Sequence, residues 1–287
     1  MRFGASTFIW TSPFGNDKLY LAKHVAELGF DVLEICVEDP ALMTGSTVRQ
    51  AAAEAGVSVS LCGAFGPDRD VSHDDADGRR RGLEYLKQCI DIAAEAGAPN
   101  VIGPMYSAVG KARLLSENER EQQRVWAADG LRTAGQYAAE RGIGLAIEPL
   151  NRFETDLVNT VEQALDLCRR IGLDNVGLLL DTFHMNIEER SLPDAIRAAG
   201  SQLRQFHACE NDRGAPGSGH IEWDSVFGAL RQIGYDGVVA IEAFTPEIKE
   251  IARAVSTWRP VARSGDELAR DGLAFLKRKS AETRSAV

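Results

Sequence analysis

The sequence predicts a single-domain α/β protein folded as a closed (β/α)8 barrel. Eight short apolar runs alternate with amphipathic helical patterns along the whole chain. The repeating unit, about 30 residues long, is the size of one strand–helix pair. The alternation fills most of the 287 residues without an internal linker, which suits one large barrel domain. A doubly wound open sheet would carry a G-x-G-x-x-G turn after its first strand, and this chain has none.

Strands are expected at Phe3–Ile9, Val32–Val37, Val57–Gly63, Asn100–Met105, Gly144–Glu148, Val176–Asp181, Leu203–Ala208 and Val238–Ala243. Apolar runs of this kind suit strands covered on both faces, as in a parallel sheet. Helical periodicity marks Lys18–Leu28, Thr47–Ala55, Gly82–Ala96, Glu117–Glu140, Thr160–Ile171 and Trp223–Ile233, with a closing helix at Asp266–Lys279. Gly29, Gly56, Gly97, Gly142, Gly172 and Gly234 each stand where a left-handed cap is wanted. The sixth unit is the weakest, because Leu192–Ala199 makes only a short helix. Arg79–Arg81 reads as a solvated face. Residues 280–287 read as a frayed tail beyond a domain spanning 1–279.

Composition narrows the function classes. A hydrophobic fraction of 44% and a charged fraction of 26% are those of a soluble globular protein. A net charge of −10 argues against a nucleic-acid partner, which needs a basic face. No apolar run approaches the roughly 18 residues of a membrane span. The opening MRFGASTFIW makes a poor signal peptide, so no membrane partner and a cytoplasmic location are expected. The five cysteines contain no C-x-x-C pair and are expected to be reduced thiols; Cys36, Cys62 and Cys209 fall at strands, as small buried apolar groups.

The polar residues then acquire meaning. LAIEPL ends in Glu148, GLLLDTFHM stops at Asp181, LRQFHA carries His207 and VVAIEAF carries Glu242. A carboxylate where a buried strand emerges is costly unless paired, hydrogen-bonded or bound to a metal. In a barrel, the ends of strands five to eight all deliver to the C-terminal mouth. Three carboxylates there would repel one another and raise one another's pKa, a conflict that a divalent cation removes. Three oxygen donors with one imidazole nitrogen suit Mn²⁺, Mg²⁺ or Co²⁺. Taken singly, each residue has a duller reading, as a helix cap or as partner to an arginine such as Arg152. Four on consecutive strands are poorly explained that way.

The stretches EPLNRFETDLVNT, LLDTFHMNIEE, FHACENDRG and IEAF, with GPDRDVSHDDA and GPMYSAVGK before them, resemble the ketose 3-epimerases. These form the D-tagatose, D-allulose and L-ribulose 3-epimerase group of the sugar isomerase/epimerase barrel superfamily. The resemblance runs from about Met1 to Lys279 and is most specific between Glu148 and Phe244. It implies one divalent cation, usually Mn²⁺ or Co²⁺ and sometimes Mg²⁺, on Glu148, Asp181, His207 and Glu242. It also implies that Glu148 and Glu242 act as acid/base catalysts inverting C3 of a free ketose through a cis-enediolate. The substrate pairs would be of the D-allulose/D-fructose, D-tagatose/D-sorbose or L-ribulose/L-xylulose class. Glu154, His184 and Arg213 would hold the sugar's hydroxyls, with Phe244 as an apolar wall and Phe8 as a further substrate contact. The family's members are typically homodimers or homotetramers. Where several of them carry aromatic residues after the first strand's glycine, this chain has Ser6 and Thr7 before Phe8 and Trp10.

Inversion at C3 requires a proton to leave one face and return on the other, a task two carboxylates on opposite sides can share. Other readings remain: an isomerase or dehydratase of the hydroxypyruvate isomerase or inosose dehydratase type, or a silent sugar-binding module. A metal-dependent endonuclease on the same barrel would need more than five histidines' worth of ligands and a basic face. Ser12–Asp17 and Gly66–Asp77 are expected as lids over the mouth. Helix Glu117–Glu140 and the segment Thr245–Gly265 are expected as subunit contacts. Within that segment Trp258 with Pro260 is a candidate exposed apolar spot, with a packed terminal segment the preferred reading, and Gly214–Gly219 is read as a loop rather than a phosphate cradle.

Overall fold

The computed structural model describes residues 1–244 and 246–284 of the chain. Eight parallel strands close into a barrel in chain order: β1 Arg2–Ser6, β2 Val32–Val37, β3 Ser58–Gly63, β4 Asn100–Gly103, β5 Gly144–Ile147, β6 Val176–Asp181, β7 Leu203–His207 and β8 Val238–Ile241. Closure is made by Arg2–Ala5 of β1 pairing with Val238–Ile241 of β8. The described helices are α1 Tyr20–Leu28, α2 Gly45–Ala55, α3 Ala76–Ala96, α4 Glu117–Ala139, α5 Val161–Ile171, α6 Thr182–Glu188, α7 Leu192–Ala199, α8 Trp223–Gln232, α9 Lys249–Ala254 and α10 Gly265–Arg284.

Alternation along the strands sorts the side chains. In β2, Leu33, Ile35 and Val37 join the large core shared with the helices, while Val32 packs against Val238 and Ala240 of β8 across the barrel interior. Cys62, Ile102, Ala146 and Leu179 form a second interior cluster. Glu34, Ser60 and Gln205 are polar yet almost wholly buried. All five cysteines are free and buried, as expected. The six cap glycines all have positive φ, between 68° and 92°, where a β-carbon would be strained.

The structure departs from expectation at several element ends. The first strand stops at Ser6, and Thr7–Ile9 forms a 3-10 turn because the Thr7 carbonyl accepts the amides of Trp10 and Thr11. Helix α3 starts at Ala76 rather than Gly82, with Asp75 as its N-cap. That places Arg79–Arg81 inside the helix: Arg80 and Arg81 are exposed, but Arg79 donates to the carbonyls of His73 and Asp74 and lies over Trp126. Helix α6 was not visible in the sequence. Asp181 is at once the last residue of β6 and the N-cap of α6, its Oδ1 accepting the Phe183 amide at 2.7 Å. Helix α10 runs to Arg284 rather than ending at Lys279, while residues 285–287 of the expected tail lie outside the described residues, as does Thr245. Trp258 is 73% exposed, so the packed reading of that side chain is corrected. Among the described residues no helix is long and apolar enough to cross a membrane.

Candidate metal centre and active site

Every residue of the site sits at or just past the C-terminal end of a strand. Glu148 follows β5, Asp181 ends β6, His207 ends β7 and Glu242 follows β8. Short strands that stop together put these four side chains in one place: each offers a donor atom within 4.8 Å of the others. All four are buried, none more than 6% exposed. His207 Nδ1 lies 3.7 Å from Asp181 Oδ2, 3.7 Å from Glu242 Oε2 and 4.0 Å from Glu148 Oε1. These separations are too long for hydrogen bonds. They are what donors about 2.0–2.2 Å from a common centre would show. His207 Nδ1 and Glu148 Oε1 are both buried without a hydrogen-bond partner. Two orphaned donor atoms of this kind, among three carboxylates, fit a divalent cation.

The electrostatics agree. Burial, reinforced by the charge of Glu242, pushes the Glu148 carboxyl well above the usual range. For Asp181 burial also pushes upward, but the Arg213 guanidinium and His207 outweigh it and hold the group low. Glu242 is likewise lowered, burial being overcome by His207 and then Arg213. Burial depresses His207, yet Glu34, Glu242 and Asp181 carry it well above the ordinary imidazole range. An acid and a base are thus set apart by environment within one cluster.

Arg213 reaches into this cluster from the loop after β7. Its Nη1 lies 2.6 Å from Asp181 Oδ2 and 3.2 Å from Glu242 Oε2. Its plane lies over Phe183, 4.1 Å from the ring centre, with Phe244 at 5.1 Å. The residue has φ 65°, a left-handed conformation that a non-glycine adopts only when its surroundings insist. Its amide donates to the Glu210 carbonyl at 3.0 Å, and the fully buried Glu210 carboxylate in turn accepts the amides of Gly217 and Ile221 and the Trp223 indole. Loop Gly214–Gly219 therefore wraps the chain's own carboxylate, consistent with a loop and not a phosphate cradle.

His184, on α6, is held by Asn151, whose backbone amide approaches Nδ1 at 3.2 Å. Nε2 accepts from Arg213 Nη2 at 3.1 Å and lies 3.7 Å from Glu148 Oε1, so both ring nitrogens face donors. Burial and then Arg213 lower the pKa of this imidazole. Asn151 Nδ2 also donates to Glu154 Oε1 at 2.8 Å. Imidazole and guanidinium thus sit side by side over Glu148 and Glu242, with the guanidinium supplying the donors.

That space is a cavity of about 1020 Å³, and Glu148, Glu154, His184, Arg213, Glu242, Phe8 and Phe244 all line it. Asp181 and His207 lie behind this lining. Phe8 and Phe244 pack 5.3 Å apart, centre to centre, as one apolar wall. Gly66, Pro67 and Arg69 contribute from the second expected lid, and Ile251, Arg253, Ala254 and Val255 from around α9. Ser12–Asp17 does not line the cavity; Ser12 and the Phe14 amide instead bind Glu38. Another large concavity, about 740 Å³, opens at the opposite barrel face beside Asn100, Gly144 and Leu203. Glu34, Asn151 and Glu210 escaped the sequence reading. Glu34 left one signal, a lone charge within the apolar run VLEICV.

The profile of the xylose isomerase-like TIM barrel family matches residues 22–279. A probable ketose 3-epimerase of Synechocystis sp. is 33% identical, over 96% of both chains. A D-psicose 3-epimerase of Agrobacterium fabrum is 32% identical, over 93% of this chain and 94% of its own. The solved structure of an L-ribulose 3-epimerase superposes with a TM-score of 0.93 at 31% identity, covering 99% of this chain and 96% of that one. With the barrel and the four strand-end donors already in place, this chain belongs to the ketose 3-epimerases of the xylose isomerase-like TIM barrel family.

Proposed function

We propose that the chain is a metal-dependent epimerase inverting C3 of free ketoses, of the D-allulose/D-fructose, D-tagatose/D-sorbose or L-ribulose/L-xylulose class. The observation that carries this reading is the convergence of Glu148 and Glu242 from β5 and β8, with their donor atoms within 4.8 Å, at the floor of one cavity. Glu148, Asp181, His207 and Glu242 would hold the cation, which donor chemistry narrows to Mn²⁺, Co²⁺ or Mg²⁺ and the family resemblance ranks with Mn²⁺ first. When bound, such a cation supplies Lewis acidity at neighbouring sugar oxygens and so acidifies the C3 hydrogen.

The chain's own residues do the rest. Each glutamate has two oxygens, so one can remain a ligand while the other exchanges a proton with C3. One carboxylate takes the hydrogen from its face as the other returns one from the opposite face, and the roles reverse for the opposite epimer. The Arg213 guanidinium donates to hydroxyl oxygens, His184 contacts the sugar beside it, and Glu154, set by Asn151, accepts from hydroxyls; together they hold C3 between the glutamates. Phe8 and Phe244 exclude water beside the reacting carbon. The protein would work in the cytoplasm as a homodimer or homotetramer.

The test is to incubate Mn²⁺-loaded protein with individual ketoses in D₂O and follow C3 by NMR. Deuterium entering C3 together with appearance of the C3 epimer is expected. Proton transfer confined to C1 and C2, or loss of water, would assign the isomerase or dehydratase chemistry instead. No exchange at C3 of any ketose would end the proposal.

A further inference from the structure

A polar chain inside the barrel takes no part in the reaction itself. Glu34 stands in the middle of β2, fully buried, and its Oε2 accepts from Gln205 Nε2 and lies 2.9 Å from His207 Nε2. Gln205 cannot turn its amide round freely, because Ser60 Oγ donates to its Oε1 at 2.7 Å and so keeps Nε2 facing Glu34. Three strands, β3, β7 and β2, thus contribute to one hydrogen-bonded chain ending on the imidazole. We infer that Glu34 is a positioning residue of the metal centre: it holds the hydrogen of His207 on Nε2 and turns the Nδ1 lone pair toward Glu148, Asp181 and Glu242.

The geometry carries this assignment from both ends. A carboxylate oxygen only accepts, so the nitrogen facing it carries the hydrogen. That leaves Nδ1, the atom without a hydrogen-bond partner, 3.7–4.0 Å from the three carboxylates. A carboxylate behind a ligating imidazole fixes ring orientation and increases ligand basicity, and its loss typically weakens metal affinity 10–100-fold. Glutamine is a poor substitute here. Its oxygen would have to face two donors, which forces its NH₂ into the position of Glu34 Oε1, a buried site with no partner. Aspartate keeps the charge but withdraws the acceptor by one methylene.

The inference rests on the cation reading of the four-residue cluster, and the test separates the two. Metal-stripped wild type, Glu34→Gln and Glu34→Asp are titrated with Mn²⁺, the free ion being read by electron paramagnetic resonance. Both variants are expected to bind about 10–100-fold more weakly, with kcat recovering toward wild type as Mn²⁺ is raised. In parallel, ¹⁵N NMR of Mg²⁺-loaded wild type should show His207 protonated at Nε2 and unprotonated at Nδ1, a readout that needs no variant to fold. Wild-type affinity in either folded variant, or the opposite tautomer, overturns the role given to Glu34 and leaves the cation site standing. Failure of the wild type to bind Mn²⁺ overturns both.

Discussion

Replacing one glutamate of the pair should separate proton exchange from inversion. Glu148 and Glu242 stand on β5 and β8, with donor atoms within 4.8 Å, so a carbon between them is reached from two sides. Glu148→Gln removes proton transfer on one face only. Positioned acid/base catalysis is worth about 10²–10⁴ in rate. Loss of one of four ligands adds to this, so epimerisation should fall by about 10³-fold or more, ~4 kcal/mol at 1.36 kcal/mol per decade. Glu242 remains able to take and return a proton on its own face. At saturating Mn²⁺ in D₂O, one C3 epimer should therefore still acquire deuterium without inverting, while the other should not exchange. Glu242→Gln should give the reverse pattern. The assay is NMR of each epimer incubated separately. Inversion within tenfold of wild type in either variant, or exchange of both epimers in both variants, would refute the two-base reasoning.

Metal affinity should depend on pH in a defined sense. Glu148 and His207 both have raised pKa values in the cation-free protein, so a cation must displace the protons they hold. Mn²⁺ should bind more tightly as pH rises from about 6 to 8, with proton release measurable by calorimetry in buffers of different ionisation enthalpy; a flat profile would contradict this. Lys111 Nζ lies 2.7 Å from Asp70 Oδ2 and also donates to Ser72 and Gln123, pinning the loop before α3 to α4. Lys111→Met leaves the Asp70 carboxylate buried without its cation and should cost about 3 kcal/mol in urea unfolding; a loss below about 1 kcal/mol would show the pair to be marginal. At Gly82 an added β-carbon would meet the Asp70 and Val71 backbone at 2.8 Å. Overlap with backbone outweighs the better helix propensity of alanine, about 1 kcal/mol. Gly82→Ala should therefore lower the melting temperature, and a rise would show that the loop can move aside.

Most of the barrel was legible because its signals are local. Apolar runs, helical periodicity and cap glycines each depend on neighbours in sequence, and they placed all eight strands to within a few residues. Helix α6 was missed because its seven residues are too few to show a period, and its start depends on Asp181 acting as strand end and cap at once. Thr7–Ile9 reads as strand in the sequence because an apolar run does not reveal a 3-10 turn. At the site, the structure brings together every residue named from the sequence. What stayed hidden was the support: Glu34 acts on a residue more than 170 positions away, a distance of 173 in sequence, and Asn151 on His184, 33 positions on. Such partnerships exist only after closure of the barrel. Trp258 was misjudged for a related reason, since exposure depends on what the finished fold leaves uncovered.

The barrel divides its labour along the chain. Every proposed ligand and hydroxyl-holding residue belongs to the second half, from β5 onward, whereas Phe8, Cys36, Cys62, Phe65 and Val109 of the first half supply much of the cavity's surrounding surface. Diversification of the early loops can therefore reshape which sugar is admitted while the reacting apparatus is inherited intact. Glu34 is the exception, a thread from the permissive half into the conservative one, and it marks where such tinkering would stop being harmless.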